Sequence, residues 1–140
     1  MITDRTIYGN LLVNQIQIEP DQNITSESDK EAIKKVIQDY LDVTDKKDYD
    51  ALKRAFHPTG KLLSVNKTGL REMSQEEWWS RVSRIPGNIK RVSQISLIDI
   101  RGLAAVVRVD FEKSSDYISL LKINGEWKIV NKTLSTMLNL

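Results

Sequence analysis

The sequence predicts an α+β domain in which three N-terminal helices pack on one antiparallel sheet. Helical patterns are confined to the first part of the chain, and everything after Gly87 alternates as strands joined by short turns. Helices and strands segregated in this way are typical of the α+β class. A chain of 140 residues is also about one domain in length. We therefore expect one domain over residues 29–140, preceded by an N-terminal arm, residues 1–28.

The N-terminal arm differs in composition from the rest of the chain. Ile16-Gln17-Ile18 alternates as a short strand would, and Pro20 to Ser28 is polar like a linker. Pairing with a sheet edge, pairing with a partner chain and disorder all stay open for the arm.

The first helix is predicted over about residues 30–46. Ser28 and Glu31 have the spacing of a capping box, in which each side chain satisfies a backbone N–H of the first turn. Apolar residues then recur at helical spacing with charged residues on the other face, so the helix is amphipathic.

Two shorter helices follow. Asp48 is the N-cap candidate of the second, and His57-Pro58 ends it, because the residue before a proline disfavours helical backbone angles. Ser74 and Glu77 repeat the capping box and begin the third helix, which Pro86-Gly87 ends.

The first strand is predicted over residues 61–65, and residues 66–72 are expected to form a loop. In the next strand, Ile95 and Leu97 share one parity while Ile98 and Ile100 share the other. A parity switch within one strand indicates a bulge or a strong bend.

The remaining strands are marked by alternation and by turn residues. Arg101-Gly102 turns the chain, and Val107 to Phe111 then alternates cleanly with polar residues. Tyr117 to Ile123 is the next strand. Asn124-Gly125 is a strong hairpin signal, because both residues tolerate positive φ, and Glu126 to Ser135 completes the sheet.

Composition excludes several classes of protein. Basic and acidic residues number 21 and 19 and are interleaved, which argues against a nucleic-acid-binding stripe. Without cysteine there are no disulfides and no thiolate metal sites. No apolar run approaches the ~20 residues of a membrane span, and the first residues lack the layout of a secretory signal. A cytoplasmic protein without membrane or nucleic-acid partners is expected.

Several short stretches, in order along the chain, resemble one known family. They are Ala32 to Tyr40, Ala55 to Pro58, Arg71 to Trp78, Asp116 to Lys122 and Gly125 to Lys132. Together with the order of helices and strands, they resemble the "Putative lumazine-binding" family of the nuclear transport factor 2-like (cystatin-like, ketosteroid isomerase-like) superfamily, over about residues 30 to 135.

The resemblance implies a cone-shaped domain of the cystatin-like fold. The curved sheet would wrap around the first helices and enclose a cavity open at one end, and two copies would dimerise through the outer face of the sheet. It implies little about activity, because the superfamily includes isomerases, cyclases, dehydratases and proteins that only bind, and a shared fold does not assign function.

The isomerase pattern of the superfamily is met only in part. Tyr40 matches the tyrosine that donates a hydrogen bond from the first helix of the isomerases. Ser64 stands at the position of their catalytic base, and Ser119 stands at or near the position of their second donor, a protonated carboxylic acid. A serine is neither a base nor a neutral carboxylic acid. No catalytic residue is therefore assigned, and an acidic residue reaching the cavity beside Tyr40 would reopen the question.

Four side chains of the third helix and the last two strands are candidates for the cavity wall. Trp78 lies on the apolar face of the third helix. Tyr117 and Ser119 are expected to face the cavity, with Ile118 and Leu120 pointing outward and needing cover by a second subunit. Lys132 points inward if its parity partners Val130 and Leu134 do, but the opposite parity of that strand is almost as apolar, so both directions stay open.

His57 is the only histidine and is interpreted as structural, because it stands in a helix-ending motif. One histidine and no cysteine argue against a zinc or non-haem iron site, so neither metal nor cofactor is expected.

The sequence thus favours a small-molecule binder without catalysis. Its predicted ligand-binding residues are Tyr40, Ser64, Trp78, Tyr117, Ser119 and Lys132. The alternatives are a metal-free isomerase, dehydratase or cyclase, and a dimeric protein-interaction module.

Overall fold

The computed structural model of the protein describes residues 27–86 and 93–136. Three helices lie in the first of these ranges: α1, Glu27–Asp45; α2, Tyr49–Ala55; and α3, Gln75–Val82. The N-terminal arm up to residue 26, with its predicted strand and linker, lies outside the described residues.

Six strands form one sheet within the described ranges. They are β1, Phe56–Asn66; β2, Gly69–Met73; β3, Gln94–Arg101; β4, Ala104–Asp110; β5, Ser114–Ile123; and β6, Glu126–Thr136. Their order across the sheet is β2-β1-β6-β5-β4-β3. The α+β class, with three helices and a curved open sheet, is confirmed.

One pair of neighbouring strands departs from the expected antiparallel sheet. β1 and β6 run parallel, whereas the other four pairs are antiparallel. A parallel pair needs a long connection, and here that connection contains α3 and the whole meander from β3 to β5. The meander thereby brings β6 back to the centre of the sheet, between β1 and β5.

Local capping chemistry fixes where two of the helices begin. Asp48 Oδ1 accepts the N–H of Ala51 at 3.1 Å, and Ser74 Oγ accepts the N–H of Glu77 at 3.0 Å. Both predicted N-caps are confirmed. α1 begins earlier than predicted, at Glu27, so Ser28 lies in its first turn and the cap predicted there is wrong.

Residues 66–72, expected as a loop, form a tight hairpin and the edge strand β2. Asn66 Oδ1 accepts the N–H of Thr68 at 2.9 Å, and Gly69 takes a φ of 118°, which favours glycine. Pairing begins directly at the turn, with Asn66 opposite Gly69. A strand of five residues is too short to show a clear alternation, which explains why the pattern did not reveal it.

Two turns and one bulge in the second half of the chain lie where the sequence predicts them. The register of β3 on β4 slips between Leu97 and Asp99, which confirms the predicted bulge. Gly102 has a φ of 58°, and Asn124 and Gly125 have φ values of 51° and 84°. These positive angles confirm the two predicted turns.

The core lies between the helices and the face of the sheet that they cover, which we call the inner face. Its centre contains fully buried side chains from every layer. Full burial of one such aliphatic side chain is worth about 1.5–3 kcal/mol. The largest of these side chains are Ile37, Tyr40, Val43, Leu52, Val107, Val109, Ile118, Leu120 and Ile129.

A polar contact ties the start of α1 to the β5–β6 hairpin. Asp29 Oδ1 accepts from Lys122 Nζ at 2.9 Å and from Trp127 Nε1 at 3.1 Å. This end of the inner face is therefore closed by the helix, and the opposite end is left for the pocket described next. None of the described helices is long and apolar enough to cross a bilayer.

Candidate functional site

A pocket of about 130 Å³ lies on the inner face where β1, β6 and α3 meet. Its walls are largely apolar, and Lys132 is the one charged residue among those that line it. The lining residues are Leu62, Leu63, Ser64, Met73, Trp78, Lys132 and Leu134.

A bulge in β6 brings Lys132 to the inner face. Ser119 pairs with Asn131 and Leu120 pairs with Ile129, so Val130 is an extra residue on β6 without a partner in the register. A bulge shifts the alternation by one position. Ile129 is therefore inside before the bulge, and Lys132 is inside after it.

The ammonium of Lys132 lies over two aromatic rings. Its Nζ is 4.8 Å from the ring centroid of Trp78 and 5.4 Å from that of Tyr40. The two rings stack, with centroids 5.5 Å apart and planes 16° from parallel. A cation over aromatic faces at these distances is a stabilising arrangement, and Lys132 is only 8% exposed. The lysine is therefore held in place at the pocket floor.

A buried carboxylate stands beside this cluster. The Tyr40 hydroxyl donates a hydrogen bond to Oδ2 of Asp116, which is 2% exposed. The other oxygen, Oδ1, is buried and has no hydrogen-bond partner among the described residues. Asp116 pairs with Leu134, and the next inward residue, Ile118, pairs with Lys132. Asp116 is thus the diagonal neighbour of Lys132 on the inner face.

Four of the predicted site residues come together here. Tyr40, Trp78 and Lys132 form the stacked cluster, and Ser64 lines the pocket. The open question about β6 is answered: Lys132 and Leu134 point inward. That these residues bind a ligand stays a prediction.

The predicted direction of β5 is wrong. Ile118 and Leu120 are fully buried, whereas Tyr117 is 45% exposed and Ser119 shares its parity. Tyr117 and Ser119 therefore lie on the outer face, away from the pocket. Both parities of this strand carry large apolar residues, so alternation alone could not choose between them.

Asp116 is the site residue that the sequence reasoning missed. It shares its parity with Ile118 and Leu120. Once that parity is known to be inward, a carboxylate in an otherwise apolar series is a clear signal.

A second cleft lies next to the pocket, and His57 directly precedes two residues that line it, Pro58 and Thr59. The cleft has a volume of about 440 Å³, runs past Gly60 and shares Met73 with the pocket. Gln75 Nε2 crosses it to the carbonyls of His57 and Gly60, at 2.9 and 3.0 Å. His57 Nδ1 lies 2.7 Å from Thr59 Oγ1, so its contacts belong to a local turn of β1.

The described residues contain no group of three or more histidine, aspartate or glutamate side chains placed to hold a metal ion. The site therefore offers one cation, Lys132, in the wall of an apolar pocket. The hydrogen-bonded Tyr40 phenol and Asp116 carboxylate lie beside it but do not line the pocket.

Comparison with known proteins identifies both a family and a fold. The model of the family described as "Putative lumazine-binding" matches residues 28–135. Among curated proteins, none matches significantly.

Several solved structures share the fold. An NTF2-like protein of unknown function from Silicibacter pomeroyi is 19% identical, with a TM-score of 0.72 over 81% of this chain and 99% of its own. Another such protein, from Methylobacillus flagellatus, is 28% identical, with a TM-score of 0.68 over 79% and 93%. A third, from Shewanella baltica, is 22% identical, with a TM-score of 0.68 over 84% and 100%.

Proposed function

We propose, since this chain belongs to the "Putative lumazine-binding" family and has an NTF2-like fold, that its pocket binds a small, partly apolar molecule through Lys132. The observation that carries the proposal is a buried lysine at the floor of an apolar pocket. Ligand pockets are typically apolar with a few placed polar groups.

The size of the pocket bounds the ligand. Its volume of about 130 Å³ is close to that of an engineered cavity of roughly 150 Å³ that binds benzene. One six-membered ring therefore fits. Lumazine, which the family description mentions, has two fused rings, so its second ring would have to lie outside the pocket.

The polar partner of the ligand is a hydrogen-bond acceptor. A lysine ammonium has three donors and no acceptor, so it can keep its contacts within the protein and still donate to a ligand. A carbonyl or carboxylate oxygen suits this position, with the apolar body of the ligand against Leu62, Met73 and Trp78.

Binding is best tested with single-ring acceptors, cyclohexanone and benzoate, together with native mass spectrometry for ligands that copurify. Trp78 lines the pocket, so its fluorescence should change on binding, and the Trp78→Phe variant identifies that signal. We expect Lys132→Met to weaken binding at least about tenfold, because an ionic hydrogen bond is lost.

Lys34→Met is the matched control, because Lys34 is an exposed lysine of α1. It removes the same charge and should leave the affinity unchanged. Equal affinity of Lys132→Met and wild type, or no binding of either probe or any copurified molecule, contradicts the proposal.

A metal-free proton-transfer enzyme is a second candidate, favoured by one observation: a carboxylate does reach the inner face beside Tyr40. A positioned carboxylate is suited to general acid–base catalysis. The test is exchange of the α-protons of bound cyclohexanone in D₂O, followed by NMR. Exchange that is no faster than without protein, or that persists in Asp116→Asn, excludes this role.

A homodimer through the outer face is also proposed. That face exposes Val106, Tyr117 and Leu121 on adjacent strands, and Tyr117 and Leu121 are 45% and 41% exposed. A contiguous apolar surface on a sheet is suited to a subunit interface. No nucleic acid or membrane partner is proposed.

Sedimentation velocity tests the dimer. Leu121→Asp should give a folded monomer, because it places a charge in the proposed interface. Leu70→Asp, at the exposed hairpin between β1 and β2, is the control and should stay dimeric, although Leu70 is 76% exposed. A monomeric wild type, or a dimer that survives Leu121→Asp, rules this interface out.

A further inference from the structure

We infer that Met73 determines the size specificity of the pocket: its side chain separates the pocket from the larger cleft and thereby limits the ligand to one ring. The inference rests on the proposed function, because it names the residue that sets the length of the molecule that binds beside Lys132.

The two cavities meet at Met73. It is the one residue that lines both of them in the described part of the chain. The pocket has a volume of about 130 Å³ and the cleft one of about 440 Å³. Sites for larger ligands typically have about 300–1,000 Å³, so the pocket alone is small and the two cavities joined would be large enough. The residue at the boundary therefore decides whether a longer ligand fits.

A row of three side chains crosses the inner face at this boundary. Met73 of β2 is opposite Leu62 of β1, and Leu62 is opposite Lys132 of β6. Residues opposite each other in the register point to the same face. Because neighbouring strands lie about 4.8 Å apart, the backbones of Met73 and Lys132 are about 10 Å apart. A ring that Lys132 holds by an acceptor, lying along this row, has its far edge toward Met73.

The position of Met73 is held by the structure around it. Its side chain is partly buried and packs against the hydrophobic core. The next residue, Ser74, caps α3 by accepting the N–H of Glu77 at 3.0 Å, so strand pairing and the cap fix the backbone on both sides. A methionine can change rotamer, but moving aside would expose apolar surface that is now packed. We therefore expect a second ring on the ligand to add no affinity in the wild type.

The cleft beyond Met73 has room and apolar surface for a second ring. Phe56 and Pro58 line it, together with polar and charged residues. A second ring that entered the cleft would bury apolar carbons and thus bind more tightly. Shortening the side chain of Met73 should therefore open the pocket to two-ring ligands.

The decisive comparison uses benzoate and 2-naphthoate, which share the carboxylate and differ by one fused ring. Affinities for the whole protein are measured by NMR titration of its backbone amide signals. In the wild type, 2-naphthoate should bind no more tightly than benzoate. In Met73→Ala, the affinity for 2-naphthoate relative to benzoate should rise at least about tenfold, because the second ring becomes buried.

The same titrations locate the second ring. In Met73→Ala, 2-naphthoate should shift the amide signals of Gly60 and Gln75, which line the cleft but not the pocket, and benzoate should not. Leu70→Ala is the matched control: Leu70 is on the same strand, is 76% exposed and lines neither cavity. It should keep the wild-type ratio of the two affinities.

The failures of the two proposals can be told apart. Tighter binding of 2-naphthoate than of benzoate to the wild type overturns this inference and leaves the proposed function standing. A ratio that Met73→Ala does not raise, or one that rises without shifts at Gly60 and Gln75, also overturns it. Binding of neither acid, nor of cyclohexanone, overturns the proposed function itself. If Met73→Ala does not fold, the smaller truncation Met73→Val is measured in its place and must change the ratio in the same direction.

Discussion

Asp110 and Asp116 occupy adjacent register positions of β4 and β5 but lie on opposite faces of the sheet. On the outer face, Asp110 accepts from Ser115 Oγ at 2.6 Å and from Arg108 Nε at 3.0 Å. On the inner face, Asp116 accepts from Tyr40, and its second oxygen has no partner among the residues that the structure describes. Water can complete the hydrogen bonding of the outer carboxylate at little cost, whereas a buried carboxylate oxygen without a hydrogen bond is destabilising. We therefore expect the carboxylate to stabilise the fold on the outer face and to lower its stability on the inner face.

The largest expected effect tests which residues of β5 are inside. Ile118 is fully buried and Leu121 is 41% exposed. Ile118→Ala should lower the free energy of unfolding by about 2–5 kcal/mol, because it removes buried methyl groups and leaves a cavity. Leu121→Ala should change it by only about 0.5 kcal/mol. Urea unfolding at a protein concentration where sedimentation shows a monomer measures both, and equal losses would contradict the assignment of the two faces.

The next effect concerns the inner carboxylate itself. Tyr40→Phe removes the donor to Asp116 and should lower the free energy of unfolding by about 1–3 kcal/mol, because a buried acceptor is left unsatisfied. Adding Asp116→Leu should recover much of that loss, since replacing both partners by apolar groups is often nearly neutral. A double-mutant cycle in urea measures the coupling. A double variant that is less stable than Tyr40→Phe would show that Asp116 stabilises the fold even without the Tyr40 hydroxyl.

Local features of this fold could be predicted from the sequence, because their physics is local. The N-caps Asp48 and Ser74 and the Asn124-Gly125 turn depend on a few neighbouring residues. The bulge in β3 was predicted from a parity switch. The bulge at Val130 is the same kind of feature, but there both parities are apolar.

The centre of the site could be predicted only in part. Tyr40, Trp78 and Lys132 were identified singly, while Asp116 depended on the direction of β5. That direction is hidden because the outer face is also apolar, with Tyr117 and Leu121 exposed. The bond between Tyr40 and Asp116 joins positions 76 apart. Contacts of this kind depend on the three-dimensional arrangement of the strands, which no local pattern specifies.

The smallest expected effect concerns the outer carboxylate and appears in the pH dependence of stability. The hydrogen bond from Ser115 lowers the pKa of Asp110, and the charge of Arg108 lowers it further. Because the folded-state pKa lies below the unfolded one, the charged carboxylate stabilises the fold above the unfolded pKa of about 3.9. That stabilisation is lost as the pH falls through the folded pKa.

Ser115→Ala should therefore reduce stability at pH 7, and its difference from wild type should shrink as the pH falls from about 5 to 2. Ser135→Ala is the control: Ser135 is opposite Ser115 in the register and should show a difference that does not vary with pH. Thermal unfolding over this pH range measures both. A difference that stays constant for Ser115→Ala would assign the lowered pKa of Asp110 to Arg108 instead. A difference that varies with pH would show that the hydrogen bond from Ser115 stabilises the charged form of the outer carboxylate.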